Sequence, residues 1–479
     1  MKKNVFIIIA FFFSTHVMCA GEKKADEFRT QVNISLAEQN IHRAMELIDN
    51  SVSVYFTGDE MSMARFYNPY TETRSEERGS IWMYTSAIEA VNAVLRAIQA
   101  YDTKVENADL SGQYSDKYTR LLQQLYDNAD YYLGTFRLTS YTQTAKWTVY
   151  GVHRSRVKGQ AKVEGIENVY DDQMWLIREL LESYQLTGNN FFLEKAEYLT
   201  DYVLDGWDCT IDSNGKERGG ITWGPGYVSK HACSNGPMVS PLVWLHELYK
   251  DKNEFITYRY IDSHDKVSRK EKTVKKSDYY LTFAKKVYDW QKEHLLRADG
   301  VYDDMMGGCS PRHPELEIIS GKTYRKGIFC RDKVGPAISY NSGTMLSGAA
   351  DLYRATGESQ YQTDAVNLSD ASFSYFAKKD AEIPGYFTYD VSGFRNWFNG
   401  VLLRGLVDVY PRYNNIAPYI ETFQQNLDYA YQNHKYKGLL PVNPLTGWKE
   451  NIEENSVEGM FSFAFAAKYA VLAEYRLKK

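Results

Sequence analysis

The sequence predicts an all-α fold, an (α/α)6 barrel built from six helical hairpins. Three observations predict it. Apolar residues recur at helical spacing along most of the chain, a hairpin-sized unit repeats, and long loops rich in glycine and aromatic residues separate the hairpins.

The periodicity places the helices. Met174, Ile177, Leu181 and Tyr184 share one face, as do Phe192, Ala196, Leu199 and Val203, and later Tyr280, Phe283, Val287 and Trp290. Segments of this kind predict helices at 34–55, 80–101, 115–137, 171–187, 190–206, 235–250, 277–296, 340–356, 360–378, 396–410, 415–434 and 456–476.

The repeat pairs them. Glu182-Ser183-Tyr184-Gln185-Leu186-Thr187-Gly188 closes one helix and Phe192 to Asp201 forms the next; Asp351-Leu352-Tyr353-Arg354-Ala355-Thr356-Gly357 and Tyr361 to Asp370 repeat the arrangement. Each glycine suits the left-handed residue that ends a helix, and the short gap then forces an antiparallel hairpin. Ala196 and Ala365 match in register, as small residues at a close helix contact. A third copy begins at Glu247-Leu248-Tyr249 and resumes at Tyr280, around a Lys-rich insertion at 252–276 read as a solvated excursion. A superhelical solenoid would use the same hairpins. The long loops at 207–234, 297–339, 379–395 and 435–455 favour the barrel, which gathers them at one end around a funnel.

At the N-terminus, Lys2 and Lys3 precede an apolar run from Val5 to Phe13, too short for a comfortable membrane span. Residues 1–20 therefore read as an export signal and 21–479 as one domain, with a periplasmic or cell-surface destination. Cys19 offers a lipid-attachment site as the alternative, although His16-Val17-Met18 matches the lipoprotein pattern poorly. Beyond Cys19 there are Cys209, Cys233, Cys309 and Cys330, spaced too widely for a zinc ribbon or a redox CxxC. Cys209–Cys233 and Cys309–Cys330 are the candidate pairs, and free buried thiols are the equal alternative.

The net charge of −5 is well mixed, which excludes a nucleic-acid footprint. Nine histidines form no ligand spacing, so no metal or cofactor is expected. Aromatic residues reach 15%, with 39 Tyr and 9 Trp, enough to furnish stacking platforms for sugar rings besides the core. A monomer is the expectation.

The chemistry centres on Val169-Tyr170-Asp171-Asp172, which opens a helix. Glycoside hydrolysis commonly needs two carboxyl groups, about 5–5.5 Å apart in retaining enzymes. Neighbouring helical side chains diverge by about 100°, so Asp171 and Asp172 can flank one bond. The helix N-terminus favours an anion, while the acid partner needs burial or a neighbouring charge to keep its proton. Taken alone, the pair reads equally as helix capping.

In context these residues resemble glycoside hydrolase family 76, the endo-α-1,6-mannanases and related transglycosidases. Tyr170-Asp171-Asp172-Gln173-Met174-Trp175 carries the resemblance with Tyr184, Thr187-Gly188, Ala196 and Val203-Leu204-Asp205-Gly206-Trp207-Asp208. Gly219-Gly220-Ile221-Thr222-Trp223, Lys230 with Ser234-Asn235, Asp299-Gly300-Val301-Tyr302-Asp303, Tyr340-Asn341-Ser342-Gly343 and Phe398-Asn399-Gly400-Val401 with Arg404 follow in the same order, over roughly residues 80–410. The resemblance implies the barrel and a retaining double displacement on α-1,6-mannan, endo-acting, with Asp171 as nucleophile and Asp172 as general acid/base. It gives Asp303 the glycone hydroxyls. Thr222, Ser342 and the insertions at 251–276 and 310–333 depart from the family pattern and bear on the subsites rather than the chemistry.

Asp303-Asp304 has other readings: a rival carboxylate pair, a metal ligand or a turn. Trp223, Tyr302, Tyr340, Asn341, Trp397 and Phe398 lie on or beside the long loops, as sugar contacts or as core. Arg404 is a substrate contact, the partner of a buried carboxylate or a helix cap. Two further readings compete: a different (α/α)6 carbohydrate enzyme, which would need another constellation, and a non-catalytic glycan-binding lipoprotein, which would have no need of adjacent acids at a funnel floor.

Overall fold

The computed structural model describes the backbone of residues 6–479 and the side chains of residues 28–479. The expected leader at 1–20, Cys19 included, lies outside the residues whose side chains are described. Twelve α-helices run through the described chain: α1 (Phe6–Tyr55), α2 (Ile81–Lys104), α3 (Leu110–Ala129), α4 (Tyr170–Thr187), α5 (Asn190–Asp205), α6 (Val239–Tyr249), α7 (Lys276–Leu295), α8 (Ser339–Thr356), α9 (Ser359–Phe376), α10 (Arg395–Val409), α11 (Ala417–His434) and α12 (Gly459–Lys478).

The even-numbered helices form an inner ring. Each packs on the next, from α2 through α4, α6, α8 and α10 to α12, and α12 returns to α2. The odd-numbered helices lie outside, α3 on α2, α5 on α4, α7 on α6, α9 on α8, α11 on α10 and α12, and α1 across α12 and α2. This is the predicted (α/α)6 barrel. Inner helices are enclosed on every side, so α12 is buried from Gly459 to Leu477 and α8 from Ser339 to Leu352. Outer helices such as α3 and α5 bury one stripe and wet the other.

Local chemistry sets the helix ends. Ser80 caps α2 by accepting the Met83 amide, and Asn189 caps α5 by accepting the Phe191 amide. Gly188 and Gly357 end α4 and α8 in the left-handed conformation at φ of 69° and 72°, where any other L-residue is strained.

Two segments differ from expectation. The helix expected over 115–137 ends at Ala129, and after a 3-10 turn Leu133–Thr139 pairs antiparallel with Thr144–Tyr150. Cross-strand pairs explain the change: Thr135 and Thr148 meet at 2.8 Å, Thr139 and Thr144 at 2.9 Å, and Phe136 stands opposite Trp147. The 252–276 insertion is ordered as a hairpin, Phe255–Ile261 against Arg269–Lys275, with Thr257 and Thr273 at 2.7 Å. Cys309 and Cys330 form a disulfide, whereas Cys209 and Cys233 are free and buried. No helix among the described residues is long and apolar enough to cross a membrane.

Candidate active site

The inner helices begin at one end of the barrel, and their first turns form a cavity floor. At the start of α4 the cap residue Val169 is extended and offers no side-chain cap. Instead the Tyr170 amide donates to the Trp223 carbonyl at 2.7 Å, which fastens the glycine-rich loop to the helix end. Gly224 permits that approach, because a Cβ there would sit 2.5 Å from the Asn168 carbonyl oxygen. The loop is held below by Asp208, fully buried, which accepts from Lys230 Nζ and from the Ile328 amide, both at 2.9 Å. Asn235 and Ser234 bond the Ile221 carbonyl, each at 3.0 Å. Lys230, Ser234 and Asn235 thus act as latches between loops rather than as part of a helix, since α6 starts later, at Val239.

Above this floor lies a cavity of about 440 Å³ with Asp171 and Asp172 in its wall. Asp171 is half-buried and Asp172 is 6% exposed. Burial pushes the Asp171 carboxyl up, while the Cys233 thiol, the Trp223 indole and the backbone amides of the helix start pull it partly back. Neither side chain closes a full hydrogen bond, so Asp171 Oδ1 and the Trp223 indole N–H are both buried without a partner. Burial pushes Asp172 further, well above the usual carboxylate range, and the charge of Asp171 adds to the effect. The first acid to ionise is therefore Asp171, and the one that keeps its proton is Asp172.

Aromatic rings make the rest of the wall. Trp397 stands edge-on to Trp175 at 4.9 Å and to Trp82 at 5.2 Å, both at 87°. Phe398 lies near-parallel to Trp82 and 4.8 Å from Tyr340. Opposite, Trp223 stacks on His231 at 5.1 Å and touches Tyr227 at 4.7 Å. Burial lowers His231 to about 4, so its imidazole stays neutral at ordinary pH. Asp304 also faces the cavity; burial raises its carboxyl, and Asn341 lowers it in part.

A family model described as Glycosyl hydrolase family 76 matches residues 271–438. The fold is similar to that of a family 76 mannosidase from Bacteroides thetaiotaomicron VPI-5482, at 19% identity and a TM-score of 0.63, over 91% of this chain and 98% of that one. It is also similar to an inactive variant of the α-1,6-mannanase of Salegentibacter sp. HEL1_6, in which two adjacent aspartates are replaced by asparagine, in complex with α-1,6-mannotriose (18% identity, TM-score 0.58, 91% and 99% covered). A third likeness is to a family 76 α-mannanase of Bacteroides thetaiotaomicron, at 17% identity and a TM-score of 0.60, over 93% and 98%. No curated protein gives a significant sequence match. The family 76 model thus matches about a third of the chain, and the solved structures share its fold.

The structure gathers some of the sequence-predicted site residues and disperses others. Asp171, Asp172, Trp223, Asp304, Tyr340, Trp397 and Phe398 share the cavity. Asp303 does not: its carboxylate pairs with Arg297 at 3.3 Å, and Asp304 takes the wall position. Tyr302 is 3% exposed and belongs to the core. Asn341 is fully buried behind Asp304, with its Oδ1 unpartnered. Arg404 stays inside the barrel, where it pairs with Glu89 at 2.5 Å. Sequence reasoning passed over Trp82, Trp175, Tyr227, His231 and Cys233, all in the wall. A signal existed for two of them: Trp175 lies four residues after Asp171, on the same helical face, and Trp82 sits in the first turn of an inner helix, as Asp171, Tyr340 and Trp397 do.

Proposed function

We propose that this protein is a family 76 glycoside hydrolase that cleaves the backbone of α-1,6-linked mannan, endo-acting and with retention of configuration. The observation that carries the reading is the pair of adjacent carboxyls in the cavity wall, raised unequally so that one is ionised while the other keeps its proton. In the first step the Asp171 carboxylate attacks the anomeric carbon as the glycosidic C–O bond breaks, and the Asp172 proton passes to the leaving oxygen. In the second, Asp172 takes a proton from water, the water oxygen bonds to the anomeric carbon, and the bond to Asp171 breaks.

The surroundings support an internal cut. A groove of about 800 Å³, lined by Ser339, Tyr375, Phe394 and Asn399 among others, shares Ile338 and Phe398 with the catalytic cavity. A chain can thus continue past the cleavage point. The α-1,6-mannotriose bound by the Salegentibacter relative supports the linkage. The basic and apolar N-terminal segment supports export to the periplasm or cell surface.

The test is hydrolysis of linear α-1,6-mannan, followed by reducing ends and product sizes. The parent should release a spread of mannooligosaccharides, and Asp171→Asn and Asp172→Asn should each lose on the order of a thousandfold or more in kcat. Only mannose from the first minutes onward would overturn the endo reading. A folded parent that binds mannan and transfers mannosyl units to added mannooligosaccharide, without release, would point to transglycosylation.

A further inference from the structure

A second cleft of about 320 Å³ lies on the flank of the barrel, and none of its lining residues belongs to the catalytic cavity. Its walls come from the hairpin at 133–150, the inserted hairpin at 255–275, the end of α5 with the segment after it (Trp207, Cys209) and the first half of α7. Tyr258 on the insertion packs on Tyr279 at 5.1 Å, and Tyr279 packs on Phe283 at 4.8 Å, so one wall is a sheet of rings.

The opposite wall is polar and prearranged. Arg259 Nη1 donates to Gln143 Oε1 at 2.6 Å, and Gln143 Nε2 donates to Asp205 Oδ1 at 2.9 Å. Ser140 donates to the same oxygen at 2.9 Å. Asp205 is therefore held through Oδ1 alone, and its Oδ2 is buried without a hydrogen-bond partner. The indole N–H of Trp147, a residue 9% exposed, is likewise unpartnered. One wall thus carries an unanswered acceptor and an unanswered donor, a state that native proteins rarely leave without a ligand or water to fill it. Asp201 and Asp205 also occupy the C-terminal turn of α5, where the helix dipole opposes anions, so helix stability does not account for them.

We propose that this cleft is a second saccharide-binding site, which holds a neutral hexose unit of the polysaccharide away from the catalytic pair. A sugar hydroxyl both donates and accepts, so adjacent hydroxyls of one ring answer Asp205 and Trp147 together, while the ring's C–H face lies on the aromatic wall. The volume suits one or two sugar units at the lower end of the ligand-pocket range, about 300 Å³. Four of the fifteen lining residues, Ile256 to Arg259, belong to the insertion, which closes the cleft over the barrel flank.

The choice of mannan as probe rests on the function proposed above; the chemistry of the cleft does not. The experiment is titration calorimetry of α-1,6-mannotriose into full-length Asp171→Asn protein, which is blocked for turnover, and into the same protein carrying Tyr258→Ala or Asp205→Asn. Two sites are expected in the first and one in the others. In an otherwise unsubstituted enzyme, Tyr258→Ala should leave kcat on short substrates unchanged and weaken retention in a mannan affinity gel about tenfold. Asp205→Asn keeps the shape of the side chain, and so guards against loss of binding through a loosened hairpin. Equal stoichiometry with and without Tyr258 and Asp205 would overturn the proposal. If mannotriose fills neither site, the mannan reading has failed; linear gluco-, galacto- and xylooligosaccharides then replace it, and absence of any Tyr258-dependent binding among them would overturn the cleft proposal as well.

Discussion

The indole N–H of Trp397 donates to Glu89 Oε2 at 2.9 Å. The other oxygen of that carboxylate accepts from Arg404 at 2.5 Å. One partly buried acid therefore ties an aromatic wall of the cavity to a cation inside the barrel. Glu89→Ala would leave Arg404 without its counter-charge in a dehydrated interior, and should lower stability by about 3–5 kcal/mol. Trp397→Phe keeps the wall and the ion pair, so it should unfold near the parent's midpoint yet raise KM. Denaturant titration beside steady-state kinetics separates the two; equal midpoints for Glu89→Ala and the parent would contradict the assignment.

On the mechanism proposed above, the Asp171–Asp172 pair sets the pH dependence of activity. Asp171 would be ionised to attack, and burial lifts it to about 6; Asp172 would be protonated, and burial holds it higher. The kcat/KM profile should rise through pH 6 as pH increases and fall again on an alkaline limb governed by Asp172. A profile flat between pH 5 and pH 7 would contradict this.

Stability should run the other way. A carboxyl that binds its proton more tightly when folded than when unfolded contributes stability at low pH and loses it as pH climbs through the folded value. Both aspartates are raised, so their contribution is complete below the ordinary carboxylate range and declines through pH 6 and above. Asp172→Asn, neutral at every pH, should therefore be more stable than the parent at pH 8 by about 1–3 kcal/mol. The advantage should vanish toward pH 4. Thermal unfolding of both proteins across that range checks it, and an inactive variant no more stable than its parent at pH 8 would count against the burial described for the pair.

The Cys309–Cys330 disulfide closes a segment of sequence separation 21, which on chain entropy alone adds about 3 kcal/mol. Asp332–Val334, just beyond Cys330, pairs with Met305–Gly307, next to Asp304 in the cavity wall. Replacing both cysteines with serine should lower stability by up to that amount and raise KM more than it lowers kcat. A matched fall in kcat with KM unchanged would show that the loop shapes the reacting groups instead.

The twelve helices were legible because each buries a stripe or a whole surface, and the apolar spacing of Met174 to Tyr184 or Tyr280 to Trp290 records it. Gly188 and Gly357 were legible because a left-handed turn leaves little choice of residue. The hairpins were not. Leu133–Thr139 is a short alternating stretch directly after a helix, and what makes it a strand is a partner segment that no local pattern reveals. In the site, Asp171, Trp223, Tyr340 and Trp397 stood out through motif and loop position. Of the readings open for Arg404 the structure takes the buried-carboxylate one, and Asp303 turns to Arg297; Glu89 lies 315 residues from Arg404, so no local pattern chose between the readings.

The closure of the inner ring by α12 has a consequence for how the protein comes into being. Tyr55 donates to the Val457 carbonyl across 402 residues, and Asn40 and Gln424 exchange hydrogen bonds across 384. Such contacts cannot form while a ribosome still holds the later helices, and α12, among the most enclosed of all, emerges after every other described helix. Until then α1, α2 and α10 lack the surface they share with α12. Until α12 is made the ring stays open, and deletion of α12 should leave an aggregating open ring rather than a smaller folded protein.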